Sequence, residues 1–313
     1  PMQATIEGCA VPRGRVRVSG AKNSATRLLA AALLTDDPVE LVNFPTELLD
    51  ARHKARFVES LGGRVTFDDA AERVAIEAAD LRGHEVGDYD VPIRTTYLLC
   101  AAQLLRSGVA RIPYPGGCKI GSRGYDLHVM VWQALGCTVK ELPHCIEIRG
   151  DGFRGGPISF PISTVGGTEN ALICAAVARG TTEIHNAYVT PEVEDLIALL
   201  RRMGASISVR GNSFIEVTGR EVLHGTTMEV MADRIEALTW IVYGIMAGGE
   251  LLVENVPFHA LEVPLIHIDK AGIDLFRNSR SVYVSPDCLR LGRAQPFELA
   301  CGAHPGIISD MQP

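Results

Sequence analysis

An internal repeat constrains this chain more than any other feature. In each copy a helical apolar pattern ends at a glycine and a strand-like run follows, and the glycines are Gly62, Gly136, Gly204 and Gly272. The copies occupy residues 56–65, 130–139, 196–207 and, more weakly, 265–275, so the repeat recurs about every 70 residues. Glycine just after the last helical residue is a common helix stop. The pattern therefore predicts four copies of one packed supersecondary block.

A second helix, rich in alanine and leucine, precedes each copy. These helices are predicted to begin near Asn23, Arg94, Asn170 and Arg234, and each leads through a short turn into a strand. The predicted order within a block is helix, strand, helix, strand. Because the first helix of each block is apolar on nearly all sides, we expect it to be buried at the centre of its domain.

Composition narrows the class of protein. The 313 residues are 47% hydrophobic and 21% charged, which is typical of a soluble enzyme with two domains. A net charge of −7 argues against a nucleic-acid partner. The longest apolar stretch, residues 238–253, is interrupted by three glycines and Glu250, so a membrane span is not expected. The cysteine spacing indicates neither disulfides nor a metal site, and we predict reduced thiols and a cytoplasmic location.

Polar residues cluster at the predicted starts of the buried helices. They are Lys22, Asn23, Arg94, Thr168, Glu169, Asn170, Asp233, Arg234, Glu236 and Asp310. Helix N-termini carry unpaired N–H groups and partial positive charge, which suits a substrate with phosphates and a carboxylate. For Glu169 and Asp233, ordinary capping is an equally good interpretation. Lys22 and Arg94 fit capping poorly, because a cation at a helix start is unfavourable unless an anion joins it.

One cysteine lies in a loop suited to chemistry. Cys118 is set among glycines and cations in residues 115–123 (PGGCKIGSR), a setting that favours the thiolate and can hold an anion beside it. The other seven cysteines are interpreted as small hydrophobic residues: Cys9, Cys100, Cys137, Cys145, Cys174, Cys288 and Cys301.

Six segments together resemble the successive signatures of UDP-N-acetylglucosamine enolpyruvyl transferases. They are residues 19–23 (SGAKN), 115–123, 126–128 (DLH), 165–168 (VGGT), 233–236 (DRIE) and 309–312 (SDMQ). The resemblance runs in order from about Ile6 to the last residue. It implies the fold that this family shares with 5-enolpyruvylshikimate-3-phosphate synthase. That fold is a two-domain inside-out α/β barrel of repeated βαβαββ units with buried helices, and the active site lies in the cleft between the domains.

The resemblance also implies a domain division. Residues 1–20 plus 231–313 are expected to form the catalytic domain with the Asp310 motif, and residues 21–230 the second domain with the Cys118 loop and three repeat-type units. The family continues through at least one further repeat after the Asp310 motif, so we expect the catalytic domain to be incomplete here.

By resemblance, the activity is transfer of the 1-carboxyvinyl group of phosphoenolpyruvate to a hydroxyl of a uridine nucleotide, with release of phosphate. The catalytic residues would be Cys118, Asp310 and Lys22. Cys118 matches the family's general acid, which is also the target of fosfomycin, and Asp310 matches the proposed base. Phosphoenolpyruvate would be held by Lys22, Arg94, Arg123 and Cys118, since guanidinium groups suit carboxylate and phosphate.

The acceptor nucleotide would contact a second set of residues: Asn23, Arg94, Arg123, Tyr125, Asp126, Leu127, Thr164, Val165, Gly166 and Asp310. No cofactor and no metal is implied. UDP-N-acetylglucosamine is the expected acceptor, which would place the reaction at the first committed step of peptidoglycan synthesis.

Three positions depart from the cell-wall enzymes. Ile162 stands where they usually carry a lysine against the diphosphate, and Val189 with Thr190 replaces an Arg-Glu pair. Losing cations near a diphosphate weakens its binding, because each charge-assisted hydrogen bond contributes about 1.5–3 kcal/mol. An enolpyruvyl transferase acting on the 3′-hydroxyl of UMP, from a nucleoside-antibiotic pathway, and a non-catalytic uridine-nucleotide-binding paralogue are therefore kept as alternatives.

Overall fold

The computed structural model describes residues 5, 7–8, 10–83, 94–114, 124–308 and 311, with the backbone alone at 94, 95 and 291. It divides into two compact units. Unit 1 comprises residues 1–20 and 231–313, and unit 2 comprises residues 21–230. The chain therefore passes from one unit to the other twice.

Helices and strands alternate along the described residues. The strands are β1 (Arg13–Arg17), β2 (Val39–Val42), β3 (Arg64–Asp68), β4 (Arg73–Glu77), β5 (Val109–Pro113), β6 (Thr138–Glu141), β7 (Cys145–Arg149), β8 (Pro157–Thr164), β9 (Thr181–Ala187), β10 (Ser206–Arg210), β11 (Phe214–Thr218), β12 (Thr227–Glu229), β13 (Glu250–Glu254), β14 (Phe276–Arg277) and β15 (Ser281–Val284). The α-helices are α1 (Lys22–Ala31), α2 (Leu49–Ser60), α3 (Cys100–Ser107), α4 (Asp126–Ala134), α5 (Val165–Ala176), α6 (Pro191–Arg202), α7 (Arg234–Met246) and α8 (Glu262–Lys270). Short 3₁₀ helices cover Ala32–Leu34, Arg94–Leu99, Phe258–Ala260 and Leu291–Arg293.

The repeat is visible as one sheet topology used four times. Three sheets have the orders β12-β2-β4-β3, β8-β9-β11-β10 and β1-β13-β15-β14, each with a parallel first pair followed by two antiparallel pairs. The fourth, β5-β7-β6, has the same order without the first strand among the described residues. The predicted order of helix, strand, helix, strand was wrong at its end, because a hairpin of two strands follows the second helix. The βαβαββ unit implied by the resemblance is the observed one.

Each unit contains strands from both ends of its sequence range. β1 precedes unit 2 in the sequence and pairs with β13 after it, both in unit 1, and β12 at the end of unit 2 pairs with β2 near its beginning. Gly20 and Ala232 form an isolated antiparallel bridge beside the crossings, and the Asp233 amide donates to the Ser19 carbonyl oxygen at 2.9 Å. The outgoing and returning chains are therefore joined where they change unit.

The predicted glycine stops are confirmed at all four positions. The backbone φ angles are positive at Gly62, Gly136, Gly204 and Gly272, directly after the C-caps of α2, α4, α6 and α8. At α4 the Gly136 amide donates to the Gln133 carbonyl (3.0 Å) and the Cys137 amide to the Trp132 carbonyl (2.9 Å), which is the Schellman pattern. A residue without a side chain is needed where the chain turns in this left-handed conformation.

The first helices of the blocks form the interior of unit 2. Every residue from 167 to 176 of α5 is buried, as are seven of the ten residues of α1, and the strands alternate between buried and exposed positions outside them. The prediction of buried first helices is confirmed in unit 2 and wrong for α7 of unit 1, where five of thirteen residues are buried and Met246 is 83% exposed. The predicted start near Asn170 was wrong: α5 begins at Val165, because Thr164 caps it by accepting from the Gly167 amide at 3.2 Å.

An asparagine ends the second strand of three blocks. Asn43, Asn186 and Asn255 have positive φ angles of 52°, 56° and 62°. Their side-chain amides donate to a carbonyl on the first strand or just beyond it, at Val230 (2.9 Å), Phe160 (2.9 Å) and Val18 (2.8 Å) respectively. Asparagine tolerates the left-handed region, so one residue both turns the chain and fastens the parallel pair of strands.

Substituting Asn43, which is 8% exposed, separates these two contributions. We expect Asn43→Gly to lose about 1–3 kcal/mol of unfolding free energy, because the hydrogen bond to the Val230 carbonyl is lost. Asn43→Ala should lose about 1 kcal/mol more, since alanine disfavours positive φ. Urea denaturation of both variants measures the difference. Equal stability of the two would contradict a conformational role for the asparagine.

Candidate functional site

The structure describes part of the predicted site. Cys118, Arg123 and Asp310 lie outside the described residues, and of Arg94 the backbone alone is described, as the first residue of a 3₁₀ helix. The remaining predicted residues all belong to unit 2: Lys22, Asn23, Tyr125, Asp126, Leu127, Thr164, Val165 and Gly166.

Lys22 and Asn23 are the first two residues of α1. The Lys22 ammonium lies 3.2 Å from a carboxylate oxygen of Asp50 in the first turn of α2, and both side chains are about half exposed. Asp50, which sequence reasoning missed, is an anion beside the cation at this helix start. An ion pair this exposed contributes about 0–1 kcal/mol.

Thr164 and Gly166 belong to the tightly packed start of α5. The Thr168 hydroxyl donates to the Thr164 carbonyl (2.7 Å) and accepts from the Tyr188 amide (2.9 Å), which fixes the turn that leads into the helix. A Cβ atom on Gly166 would lie 2.8 Å from the Tyr97 hydroxyl oxygen and 3.4 Å from His128 Cε1. Glycine at 166 therefore allows the helix start to approach these two rings.

Tyr97 and His128 bring three predicted contact segments together. Their rings stack with centroids 3.6 Å apart at an interplanar angle of 24°. Tyr97 lies in the 3₁₀ helix that begins at Arg94, and His128 lies in the first turn of α4, which begins at Asp126. Gly166 completes the cluster. The segments carrying Arg94, Tyr125–Leu127 and Thr164–Gly166 thus converge on one buried aromatic pair.

A group of charged side chains lies inside unit 2 below these helix starts. Arg27 of α1 donates from Nε to Glu169 Oε1 of α5 at 2.9 Å, and the side chains are 16% and 1% exposed. Lys54 of α2 is fully buried and donates to the Thr26 carbonyl at 2.7 Å. Sequence reasoning singled out Glu169 alone. The signal for Arg27 was a charge followed by an apolar helical run, whereas Lys54 lies among other charged residues of α2 and gave no such signal.

Burial is the largest influence on the pKa values of Glu169 and Lys54. It raises the pKa of Glu169, while the Arg27 guanidinium acts in the opposite direction. Burial, with the nearby Arg27 charge, holds the pKa of Lys54 well below its ordinary value of 10.5. Burial therefore favours the neutral form of both groups, and the Arg27 guanidinium opposes this at Glu169 and reinforces it at Lys54.

Asp233 caps the first helix of unit 1. One of its carboxylate oxygens accepts from the amides of Ile235 (2.9 Å) and Glu236 (3.0 Å). The sequence left open whether Asp233 contacts a ligand or caps the helix, and the structure shows it as the cap. Arg234, the first residue of α7, is 1% exposed, so its guanidinium is held inside unit 1.

Among the described residues, no group of three or more His, Cys, Asp or Glu side chains is arranged to hold a metal ion. No helix in the same part of the chain is long and apolar enough to cross a bilayer. Cys100, Cys137, Cys174 and Cys288 are buried, as expected of small hydrophobic residues, but Cys301 is exposed and was interpreted wrongly.

A family model decides the relationship of this chain to known proteins. The model of EPSP synthase (3-phosphoshikimate 1-carboxyvinyltransferase) matches residues 7–299. The chain belongs to the EPSP synthase family. This family of 1-carboxyvinyltransferases is the one implied by the six sequence segments, and that prediction is confirmed.

Similar curated proteins of the family share one name. The UDP-N-acetylglucosamine 1-carboxyvinyltransferase of Paracoccus denitrificans (strain Pd 1222) is 36% identical over 314 residues, which cover 99% of this chain and 72% of the relative. The protein of the same name from Acidobacterium capsulatum is 36% identical and covers 96% of this chain, which spans 68% of it.

Solved structures agree on the fold. The enolpyruvyl transferase NikO from Streptomyces tendae matches with a TM-score of 0.78 at 24% identity, and EPSP synthase from Acinetobacter baumannii with 0.68 at 16%. Each covers 89% of this chain, which spans 66% of their length. The inside-out α/β fold of the EPSP synthase family is therefore the fold of this chain.

The positions that depart from the cell-wall pattern differ in their surroundings. Ile162 is 64% exposed on β8, so a longer charged side chain would fit there. Val189 is 4% exposed, and Thr190 caps α6 by accepting from the Val193 amide at 3.4 Å. Val189 and Thr190 therefore have local structural roles, and Ile162 is the departure that faces solvent.

Replacing Lys54 with methionine tests whether its amine is held neutral. Between the lowered pKa and 10.5, the folded protein binds fewer protons than the unfolded chain. Wild-type stability should therefore rise with pH over this window, by at most about 1.4 kcal/mol per pH unit, and Lys54→Met should remove that contribution. Urea unfolding at pH 7, 8 and 9 measures the slopes. Exposed Lys140 provides the control as Lys140→Met, and parallel slopes for wild type and Lys54→Met would contradict the prediction.

Proposed function

We propose that this protein transfers the 1-carboxyvinyl group of phosphoenolpyruvate to a hydroxyl of UDP-N-acetylglucosamine and releases phosphate. The observation that carries the proposal is the similarity to relatives of that name at 34–36% identity over 96–99% of this chain. The convergence of three predicted contact segments on the Tyr97–His128 pair supports it, because a two-substrate site needs such a meeting point. The reaction would be the first committed step of peptidoglycan synthesis.

The chemistry is an addition followed by an elimination. The acceptor hydroxyl adds to C2 of phosphoenolpyruvate while an acid protonates the C3 methylene, giving a tetrahedral intermediate with a methyl group. Phosphate then leaves from C2 as the methyl group loses a proton, which restores the double bond in the product. One group must therefore give a proton to C3, another must take the proton of the hydroxyl, and cations must hold the phosphate.

We assign these tasks to the residues predicted from the sequence. Cys118 is the acid at C3, and Asp310 is the base at the hydroxyl. Lys22, Arg94 and Arg123 hold phosphoenolpyruvate, and Lys22 suits this task because its half-exposed ammonium lies at the start of α1. The nucleotide contacts are Asn23, Arg94, Arg123, Tyr125, Asp126, Leu127, Thr164, Val165, Gly166 and Asp310.

The proposal includes two small-molecule partners, phosphoenolpyruvate and a uridine nucleotide, and a cytoplasmic place of action. The cytoplasmic location is supported by the eight cysteines, because their spacing is not typical of disulfides. The net charge of −7 means that anionic substrates must be attracted by local cations, which Lys22, Arg94 and Arg123 supply.

Phosphate release from phosphoenolpyruvate tests the activity directly. We expect release with UDP-N-acetylglucosamine, and a fall of about 10²–10⁴-fold in kcat for Cys118→Ala, because general acid catalysis has that magnitude. Cys145→Ala, a change on strand β7, is the matched control and should retain wild-type kcat. Fosfomycin should stop turnover and add its mass to Cys118. Binding of the nucleotide without any phosphate release would favour the non-catalytic paralogue.

Substitutions at Ile162 test which nucleotide accepts the 1-carboxyvinyl group. Ile162→Lys restores a cation at an exposed position, so we expect KM for UDP-N-acetylglucosamine to fall about tenfold, the effect of one charge-assisted hydrogen bond. KM for phosphoenolpyruvate should not change. Ile162→Gln, which adds length without charge, is the control. Release of phosphate with UMP but not with UDP-N-acetylglucosamine would show that UMP is the acceptor.

A further inference from the structure

The buried ion pair Arg27–Glu169 joins the two helices whose starts carry different halves of the proposed site. Arg27 is on α1, which begins at Lys22 and Asn23, and Glu169 is on α5, which is capped by Thr164. Arg27 lies five residues after the first residue of α1, and Glu169 lies four residues after the first residue of α5. At 1.5 Å per residue, the bond crosses about 7.5 Å below the start of α1 and about 6 Å below the start of α5. It therefore links the helices at similar depth.

A second set of bonds holds α1 against α2. Lys22 pairs with Asp50, and the Lys54 amine donates to the Thr26 carbonyl at 2.7 Å. Asp50 and Lys54 are four residues apart and so lie on one face of α2. On another side, the Ser24 hydroxyl is hydrogen-bonded to Asp195 of α6. The start of α1 is thus tied to α2, α5 and α6 by polar bonds.

The Arg27–Glu169 ion pair is not the arrangement that would stabilise the folded protein most. Glu169 is 1% exposed, and its second oxygen, Oε2, makes no hydrogen bond to any described residue. A buried pair with an unsatisfied oxygen is commonly matched or exceeded in stability by apolar side chains of similar volume. What apolar contacts cannot supply is a bond with a fixed direction and length between two helices.

We propose that Arg27 and Glu169 are positioning residues, which hold the phosphoenolpyruvate-contacting start of α1 in register with the nucleotide-contacting start of α5. The ligands named here rest on the proposed function. The alignment of the two helix starts rests on the bond itself. Because reacting atoms must meet closely, a small shift of Lys22 and Asn23 against Thr164–Gly166 would impair catalysis without unfolding the protein.

The decisive variant is Arg27→Met/Glu169→Leu, which removes the bond and fills the space with apolar atoms. We expect a melting temperature within a few degrees of wild type. The value of kcat/KM for phosphoenolpyruvate should fall at least tenfold, mostly through a higher KM. The matched control is Arg111→Met/Glu147→Leu, which removes an ion pair between β5 and β7 of the same unit (3.0 Å) and should keep wild-type kinetics.

Two single variants test the same proposal if the double variant does not fold. Glu169→Gln retains the side-chain volume and should raise KM for phosphoenolpyruvate about threefold or more. Arg27→Lys keeps the charge but not the planar fork, and should restore part of the activity lost in Arg27→Met. Wild-type kinetic constants in a folded Arg27→Met/Glu169→Leu or in Glu169→Gln would overturn the proposal, because the pair would then be structural only.

Amide hydrogen exchange separates this proposal from the proposed function. In the double variant, residues 22–31 and 164–170 should exchange at least tenfold faster, while the rest of unit 2 keeps its wild-type rates. If the wild-type protein releases no phosphate with either acceptor, the proposed function fails and exchange alone decides the helix alignment. Unchanged exchange in both segments would then overturn it.

Discussion

Burial of most of the first helix of each block in unit 2 is the constraint on which the candidate site depends. A helix that is buried on most sides has little solvent-facing surface on which polar groups can lie. Its unpaired N–H groups and partial positive charge are concentrated at its start. In α1 and α5 the predicted contact residues occur there, at Lys22 and Asn23 and at Thr164–Gly166. The inside-out arrangement therefore confines ligand chemistry to the helix starts.

Helix starts make one site only if they are brought close, and small and aromatic residues achieve this here. Gly166 lets the first turn of α5 reach the stacked rings of Tyr97 and His128, which belong to two other elements. Any Cβ at 166 would have to displace the Tyr97 hydroxyl. The approach of the three segments is thus fixed by side chains that need not touch a ligand themselves.

Local signals in the sequence predicted local structure well. The glycine stops, the apolar helices and the capping role of Asp233 each depend on residues within one or two turns, and each is observed. The start of α5 was placed too late, near Asn170, whereas Thr164 caps the helix before Gly166 and Gly167. Asp50, Tyr97 and Lys54 were missed because their importance arises from packing. Arg27 meets Glu169 across 142 residues, a separation at which periodicity carries no information.

The charged group inside unit 2 shows how directional bonds can be kept in an apolar interior. A protonated Lys54 adds a second cation beside Arg27, and burial disfavours that charge by lowering the amine pKa. The amine donates a hydrogen bond with or without the charge, so the bond from Lys54 to the Thr26 carbonyl does not depend on it. The Arg27–Glu169 bond and the Lys54–Thr26 bond together join α1, α2 and α5 with fixed geometry in an interior of low polarity.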